Sequence, residues 1–231
     1  EMLKTLLKTE LNYDLTDAQL NQFKIYYDLL VSYNKHTNLT RITSLEDVYI
    51  KHFLDSALLT RLIDFKKLST LVDMGAGAGF PSIPILILYP HLKVTIVESQ
   101  IKRVTFLQEL VKTLNLNVDI VHDRVEVYAL KTQKHFDVVT ARALGELNII
   151  LEYGIPMLKE KGYFIAPKGS KYQEEIDAAK QALTILKSEV VKVETLELPN
   201  EQGFRANLLI LKHTHVSGFP RAYQQMIKKP L

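Results

Sequence analysis

The stretch "TLVDMGAGAGFP" at residues 70–81, followed by "KVTIVE" at residues 93–98, decides the fold. Both runs are rich in β-branched residues, which predicts strands at 70–74 and 93–98. Between them, three glycines allow a tight turn and a close approach of the backbone to a ligand. Pro81 suits the first position of a helix, where its missing N–H would be unpaired in any case. A strand, a glycine loop, a helix and a second strand predict the start of a parallel, Rossmann-like sheet.

The rest of the chain continues this alternation. Further β-rich runs lie at 117–122, 136–141 and 162–167. Helical patterns are predicted between the runs, at 84–89, 102–114, 124–129 and 147–159. Strands that alternate with helices pair in parallel through right-handed crossovers.

The carboxyl-terminal third ends differently. After a predicted helix at 172–186, "EVVKVETLEL" and "FRANLLILKH" are separated by "PNEQG", whose proline, asparagine and glycine are typical of a turn. We therefore predict an antiparallel hairpin. The whole forms an α/β fold with a mostly parallel seven-stranded sheet, which resembles the class I methyltransferase architecture.

The first 65 residues are predicted to be helical. Thr16 and Ser44 are candidate helix caps, and apolar residues recur at helical spacing after Thr16. We expect residues 1–65 to form an extension packed on the core, and residues 66–231 to form the ligand-binding domain.

Composition narrows the functional classes. The 231 residues include no cysteine, which excludes disulfides, iron–sulfur clusters and cysteine nucleophiles. A net charge of +3 permits a polyanionic partner without requiring one. No signal segment or membrane-length apolar run is visible, so we expect a cytoplasmic protein without a membrane partner or a metal.

An acidic residue defines the ligand class. Glu98 ends the second predicted strand about 20 residues beyond the loop, where carboxylates accept hydrogen bonds from ribose hydroxyls. The loop reads G-x-G-x-G, with Phe80 where the dinucleotide fingerprint requires glycine. Asp73 would repel a pyrophosphate, whereas an aminoacyl nucleoside that bears a sulfonium group can tolerate or use this carboxylate. Gly75, Gly77 and Gly79 would then form the cofactor turn. A turn that binds nothing, and a nicotinamide dehydrogenase, remain alternatives.

Several longer motifs resemble the bacterial small-subunit ribosomal RNA guanine-N7 methyltransferases, also called the glucose-inhibited division protein B family. They are "NLTRIT" at 38–43, "HFLDS" at 52–56, "DMGAGAGFPSIP" at 73–84, "VES" and "KR" within 97–103, "HDRVE" at 122–126, "VTARA" at 139–143, "PKG" at 167–169 and "FPR" at 219–221. Ser82 replaces a usual glycine, and the tail lacks the usual Gly-Thr-Pro-Asn segment. These departures bear on RNA contacts more than on the cofactor.

The resemblance implies S-adenosylmethionine as cofactor and N7 of guanine 527 in 16S rRNA as acceptor, on free rRNA or the 30S subunit. It also implies that Gly75 and Phe80 contact the cofactor and that Val125 and Glu126 frame its adenine. Arg142 would lie beside the cofactor near the acceptor.

The residues agree with this chemistry. Guanine N7 has a lone pair and no proton to lose, so its methylation needs positioning rather than a strong base. The Asn/Asp-Pro-Pro-aromatic motif of exocyclic amine methylases is missing after the fourth strand, which continues "TARALGEL". Arg142 is our candidate catalytic residue, orienting the base or a phosphate through its planar donors. An ion pair that holds the loop is the alternative.

Four further residues, His52, Asp55, Lys168 and Arg221, are candidates for substrate binding, and Asp73 is a candidate for cofactor binding. His52 and Asp55 share a helical face, either above the transfer site or as a pair that docks the first helices. Asp73 either holds the methionine end of the cofactor through a water or caps the following helix. Lys168 and Arg221 would reach RNA phosphates, or be ordinary solvated cations. We expect a monomer. The remaining alternatives are a methyltransferase for another RNA, a small molecule or a protein, and a non-catalytic RNA- or nucleoside-binding module.

Overall fold

A computed structural model describes all residues from 1 to 231. Its seven strands are β1 (Thr70–Met74), β2 (Lys93–Glu98), β3 (Val118–His122), β4 (Phe136–Ala141), β5 (Leu158–Lys168), β6 (Ser188–Leu198) and β7 (Gly203–Lys212). They form one sheet in the order β3-β2-β1-β4-β5-β7-β6. The first five strands pair in parallel, and β7 pairs antiparallel with β5 and β6. The predicted fold class is confirmed, including the carboxyl-terminal hairpin.

Eleven α-helices surround the sheet. They are α1 (Met2–Leu11), α2 (Asp17–Thr37), α3 (Leu45–Val48), α4 (Asp55–Leu58), α5 (Ser82–Leu88), α6 (Ile101–Thr113), α7 (Val125–Lys131), α8 (Leu147–Gly154), α9 (Tyr172–Ala178), α10 (Lys180–Ile185) and α11 (Tyr223–Lys228). A π-helical segment, Tyr49–Leu54, joins α3 to α4. Short 3-10 turns occupy Leu59–Arg61, Phe65–Lys67, Ile155–Met157 and Pro199–Glu201.

The amino-terminal helices begin where the sequence predicts. Thr16 caps α2 by accepting a hydrogen bond from the backbone N–H of Gln19, whose side chain accepts one from the backbone N–H of Thr16. Ser44 likewise accepts from the backbone N–H of Asp47 at the start of α3. Both caps satisfy donors that the first helical turn leaves unpaired.

Two apolar cores cover the two faces of the sheet. The first core joins the amino-terminal helices to α5 and α6, with Phe23, Ile85 and Leu107 among its members. The second core joins α7, α8 and α10 to the chain end, with Leu151 and Met226 among its members. Because residues 1–65 share the first core with the sheet, their helices pack directly on the cofactor domain. The boundary at residue 65 stays a prediction.

Two predicted helices differ from the observed ones. The helix predicted at 147–159 ends at Gly154, because Pro156 has no N–H to continue the helical hydrogen bonds and Leu158 already pairs with Phe136 in the sheet. A 3-10 turn, Ile155–Met157, joins the two elements. The helix predicted at 172–186 is divided into α9 and α10 by Ala179. Strand β5 is longer than predicted. It begins at Leu158, which pairs with Phe136, and its register shifts before Tyr163 pairs with Val138.

No helix is both long and apolar enough to cross a lipid bilayer. No group of three or more histidine, aspartate or glutamate side chains is arranged to hold a metal ion. The features that position ligands are instead the carboxyl ends of the parallel strands. Ligands of α/β proteins bind at this edge, next to the point where the strand order reverses. In this sheet, β1 lies at that point, between β2 and β4.

Candidate functional site

Two cavities lie at the carboxyl edge of the parallel strands. The larger, of about 560 Å³, is formed by residues that follow β2 and β3 together with side chains from α8 and α11. Its lining includes Ser99, Asp123, Val125, Glu126, Tyr153 and Tyr223. The smaller, of about 190 Å³, is lined by the glycine loop and by His52, Phe80 and Arg142. The sheet edge is therefore open, with a wide compartment above β2 and β3 and a narrow one above β1 and β4.

The glycine loop separates β1 from α5. Gly75, Gly77 and Gly79 have φ values of +67°, +60° and +101°, which side-chain-bearing residues rarely adopt. A Cβ on Gly79 would lie 2.5 Å from the hydroxyl of Tyr26, whereas one on Gly77 would meet no atom within 4 Å. The Tyr26 hydroxyl donates a 2.6 Å hydrogen bond to the carbonyl oxygen of Ala78. Helix α2 therefore holds one side of the loop, and the side at Gly77 stays open.

Asp73 lies beneath the loop at the end of β1 and is fully buried. Its Oδ2 accepts a hydrogen bond of 3.0 Å from the backbone N–H of Ser82, at the start of α5, and its Oδ1 has no partner. Burial raises the pKa of Asp73 to about 7. Oδ2 of Asp73 thus caps helix α5, which was the alternative role predicted for this residue. The other oxygen offers an acceptor to a cation.

Glu98 lies at the end of β2, between the two cavities. Its Oε1 accepts from the backbone N–H of Gly77 at 3.2 Å, and its Oε2 accepts from that of Gln100 at 2.9 Å. Arg103 lies 3.9 Å from Oε1, and Glu98 is only 2% exposed. The carboxylate therefore faces the glycine loop. Each oxygen keeps a further lone pair, and a contact with ribose stays a prediction.

Three side chains form a stack beside the smaller cavity. The rings of His52 and Phe80 are 4.3 Å apart and nearly parallel, and the Arg142 guanidinium carbon lies 5.3 Å from the Phe80 ring centre. Arg142 Nη2 donates a 2.8 Å hydrogen bond to His52 Nδ1. Since Arg142 can only donate, the His52 proton is on Nε2, which donates to the hydroxyl of Thr40 at 2.9 Å.

The electrostatics of this stack keep His52 neutral. Burial, together with the positive charge of Arg142, lowers the pKa of His52 to about 3. Arg142 is half-buried, and its Nη1, which solvent does not reach, has no hydrogen-bond partner within the chain. A neutral histidine thus fixes one arm of the guanidinium, and the other arm lacks a partner beside the smaller cavity.

The remaining predicted residues are placed as follows. Val125 and Glu126 line the larger cavity. Asp55 accepts from Arg205 Nε at 3.0 Å, next to the Arg142 stack. Lys168 is bound at 2.9 Å to Glu175 and donates to the carbonyl oxygen of Gly145.

Arg221 contacts both carboxylate oxygens of the buried Glu152. The structure thus gives Lys168 and Arg221 partners within the chain. Direct contacts of these two cations with RNA stay predictions.

Several site residues were not singled out from the sequence. Tyr26, Thr40 and Tyr223 reach the site from parts of the chain that are distant in sequence, and no local motif marks Tyr26 or Tyr223. For Thr40, its position within the "NLTRIT" stretch is the available signal. His52 lies in a π-helical segment, an irregularity that often occurs at functional sites.

Comparisons with known proteins agree with this geometry. The family model described as rRNA small subunit methyltransferase G matches residues 19–203. The chain is 59% identical to ribosomal RNA small subunit methyltransferase G of Acholeplasma laidlawii, with all of both chains covered. It is 41% identical to the protein of the same name from Bacillus subtilis, over 93% of this chain and 90% of that one.

Solved structures with the same fold are more distant. TYW2 of M. jannaschii, solved in complex with AdoMet, has a TM-score of 0.56 at 17% identity and matches 76% of this chain and 80% of its own. Precorrin-6y C5,15-methyltransferase of Geobacter metallireducens has a TM-score of 0.53 at 17% identity, over 69% and 87% of the two chains. At this level of identity the likeness concerns the fold alone.

Proposed function

The chain belongs to the rRNA small subunit methyltransferase G family, and from that premise we propose that it methylates N7 of a guanine in 16S rRNA. As a member of the family, it is an S-adenosylmethionine-dependent methyltransferase of small-subunit rRNA. The guanine and its reacting atom are the proposed part. They are supported by the side chains that surround the smaller cavity.

The cavities fit the parts of the cofactor. The larger one, with Val125 and Glu126, suits an adenosine, and Glu98 lies where the ribose would follow. The smaller one suits the methionine end, since the open side of Gly77 lines it and the buried Asp73 lies beneath the glycine loop. When bound, S-adenosylmethionine supplies a methyl group on a cationic sulfur, which an incoming lone pair can displace.

The titratable side chains of the smaller cavity support N7 as the acceptor atom. They are His52, Arg103 and Arg142. With a pKa of about 3 and both ring nitrogens engaged, His52 is a poor base, and the arginines remain protonated. Transfer to an exocyclic amine or to a ring carbon requires the loss of a proton. Transfer to N7 does not, because the lone pair of N7 forms the new C–N bond and the positive charge moves from sulfur to the base.

Arg142 is the proposed catalytic residue. His52 fixes its Nη2, and Nη1, which is buried without a partner in the chain, would donate to an oxygen of the guanine or of an adjacent phosphate once the acceptor is bound. Holding the acceptor in line with the methyl group lowers the activation barrier for methyl transfer, mainly because the orientational entropy is already lost when the substrate binds. Phe80 and His52 form a nearly parallel aromatic layer that would help to exclude water.

The test is transfer of labelled methyl groups to 16S rRNA and to 30S subunits, followed by mapping of the modified base. We expect N7-methylguanine at one position. We expect Arg142→Ala to reduce transfer by about a hundredfold, the loss typical of one transition-state donor. Binding of S-adenosylhomocysteine should change little. Lys192→Ala, on the exposed outer strand β6, is the control.

Each outcome discriminates between functions. A methyl group on an amine or a carbon would overturn the proposed acceptor atom, and full activity of Arg142→Ala would overturn its role. Methylation of another RNA, a protein or a small molecule would identify a different substrate. Cofactor binding without any transfer would favour a binding module. We further propose that the protein acts as a monomer in the cytoplasm, which light scattering and fractionation would test.

A further inference from the structure

The larger cavity has an accessible tyrosine wall. Tyr223, at the start of α11, lines the cavity and is 40% exposed, whereas Tyr153, the other tyrosine in the lining, is only 6% exposed. The imidazole of His122 also lines the cavity and is exposed, and its Nε2 lies 3.0 Å from the carbonyl oxygen of Ser99. Val125 and Leu144 contribute aliphatic side chains to the same cavity. The ring of Tyr223 is therefore the largest aromatic surface that a flat ligand can reach there.

A buried ion pair fixes the chain just before Tyr223. Arg221 Nε lies 3.0 Å from Glu152 Oε2, and Arg221 Nη2 lies 2.8 Å from Glu152 Oε1. The backbone N–H of Arg221 also donates to Glu152 Oε2 at 2.7 Å. The Glu152 side chain is 2% exposed, so release of Arg221 would leave a buried charge unpaired. This pair holds the chain end against α8.

Further contacts hold the tail, residues 219–231, on both sides of Tyr223. The carbonyl oxygen of Phe219 accepts a 3.2 Å hydrogen bond from Gln133 Nε2. Met226 is fully buried in the second core, and Leu231 packs against that core. Because the chain is held before and after residue 223, Tyr223 forms a fixed wall.

We propose that the tail completes the adenosine site and that the ring of Tyr223 stacks on the adenine of the cofactor. The proposal rests on the placement of adenosine in the larger cavity given above. Aromatic rings attract the flat faces of nucleobases through dispersion and desolvation. Tyr223 thus acts as a binding residue for the cofactor, and Arg221 acts as a positioning residue for Tyr223.

The absence of tryptophan from the chain allows a direct test of stacking. Tyr223→Trp would place the sole tryptophan at the cavity wall. We expect S-adenosylhomocysteine and methylthioadenosine, which both carry adenine, to quench its fluorescence, and methionine to leave it unchanged. Gln224→Trp, at the next and exposed position, is the control and should respond to none of the three. Equal responses of the two variants to the adenine compounds would overturn the proposal.

Affinity provides the second measurement. By calorimetry, Tyr223→Ala should bind S-adenosylhomocysteine and methylthioadenosine about five- to fifty-fold more weakly, and by the same factor, because the lost contact is with adenine. Tyr223→Phe should retain the affinity, and Gln224→Ala should match the parent protein. Thermal unfolding of each variant checks that the fold is kept. Parental affinity in Tyr223→Ala would overturn the role of the tail.

The readouts separate this proposal from the rRNA reaction. Loss of adenine binding in Tyr223→Ala supports the tail site even if the protein methylates another acceptor. Intact rRNA methylation with unchanged adenine binding in that variant would overturn the tail site alone.

Discussion

The hydrogen bond between Tyr26 and the glycine loop gives the sharpest test of how the amino-terminal helices support the cofactor site. Tyr26→Phe removes only a hydroxyl and leaves the ring stacked on Phe80, at a centre-to-centre distance of 5.4 Å. The carbonyl oxygen of Ala78 would lose its 2.6 Å donor in a fully buried environment. A buried acceptor without a partner costs about 1–3 kcal/mol of unfolding free energy.

That free energy translates into a measurable shift. For a chain of this size, 1 kcal/mol lowers Tm by roughly 2–4 °C, so we expect calorimetry to show a fall of roughly 2–12 °C. The affinity for S-adenosylhomocysteine should also fall, because Ala78 lies between the glycines that shape the loop.

Tyr27→Phe is the matched control for this variant. The hydroxyl of Tyr27 donates to the carbonyl oxygen of Thr43 at an exposed site, where water can replace it. Its removal should change stability by less than about 0.5 kcal/mol. Equal Tm values for Tyr26→Phe and the parent protein would refute the reasoning that α2 stabilises the loop.

Three other predictions concern protonation, positioning and packing. The affinity for the cationic cofactor should rise with pH through about 7, because binding favours the ionised form of Asp73. In calorimetry, Asp73→Asn should make the affinity independent of pH in this range. A pH-independent affinity of the parent protein would contradict the prediction. The sign for folding is opposite: since the folded pKa of Asp73 is raised, its contribution to apo-protein stability falls from pH 4 towards pH 7. His52→Phe keeps a ring stacked on Phe80 but leaves Arg142 Nη2 without its acceptor. The rate of rRNA methylation should therefore fall about tenfold or more, while the affinity for S-adenosylhomocysteine is kept. An unchanged rate would exclude a positioning role for His52. Gly154→Ala should lower the free energy of unfolding by about 1–3 kcal/mol in denaturant, because the added Cβ would overlap Phe164 and lie 2.8 Å from Val139. An unchanged free energy of unfolding would mean that the second core adjusts easily.

Local sequence patterns predict most of the sheet. The bounds of β1, β2 and β4 agree with the predicted runs, because each is a compact apolar stretch that ends at a glycine or a polar turn. The start of β5 was missed because the polar residues 159–161 interrupt its pattern where the register shifts. Periodicity cannot reveal such a shift, since the pairing partner determines it.

The site is predicted in part for a similar reason. Asp73, Glu98 and the glycines follow strands of a recognisable motif, so their common edge can be inferred from order alone. The contact between His52 and Arg142 joins positions 90 residues apart, and its geometry depends on a π-helical segment. Arg221 and Glu152 are also far apart in sequence, by 69 residues, whereas the two partners of Lys168, Gly145 and Glu175, lie much nearer along the chain. A motif can name such residues, but only packing determines whether their charges face a ligand or each other.

The apolar core that joins Leu3 of α1 to Leu110 of α6 has a consequence for cooperativity. If the first helices separated from the sheet, the buried faces of α5 and α6 would meet water, so an intermediate with a melted amino terminus is costly. The two parts should therefore denature together, in a single calorimetric peak. An insertion within the first helices would therefore disturb the packing that supports the glycine loop, although it lies far from the loop in sequence.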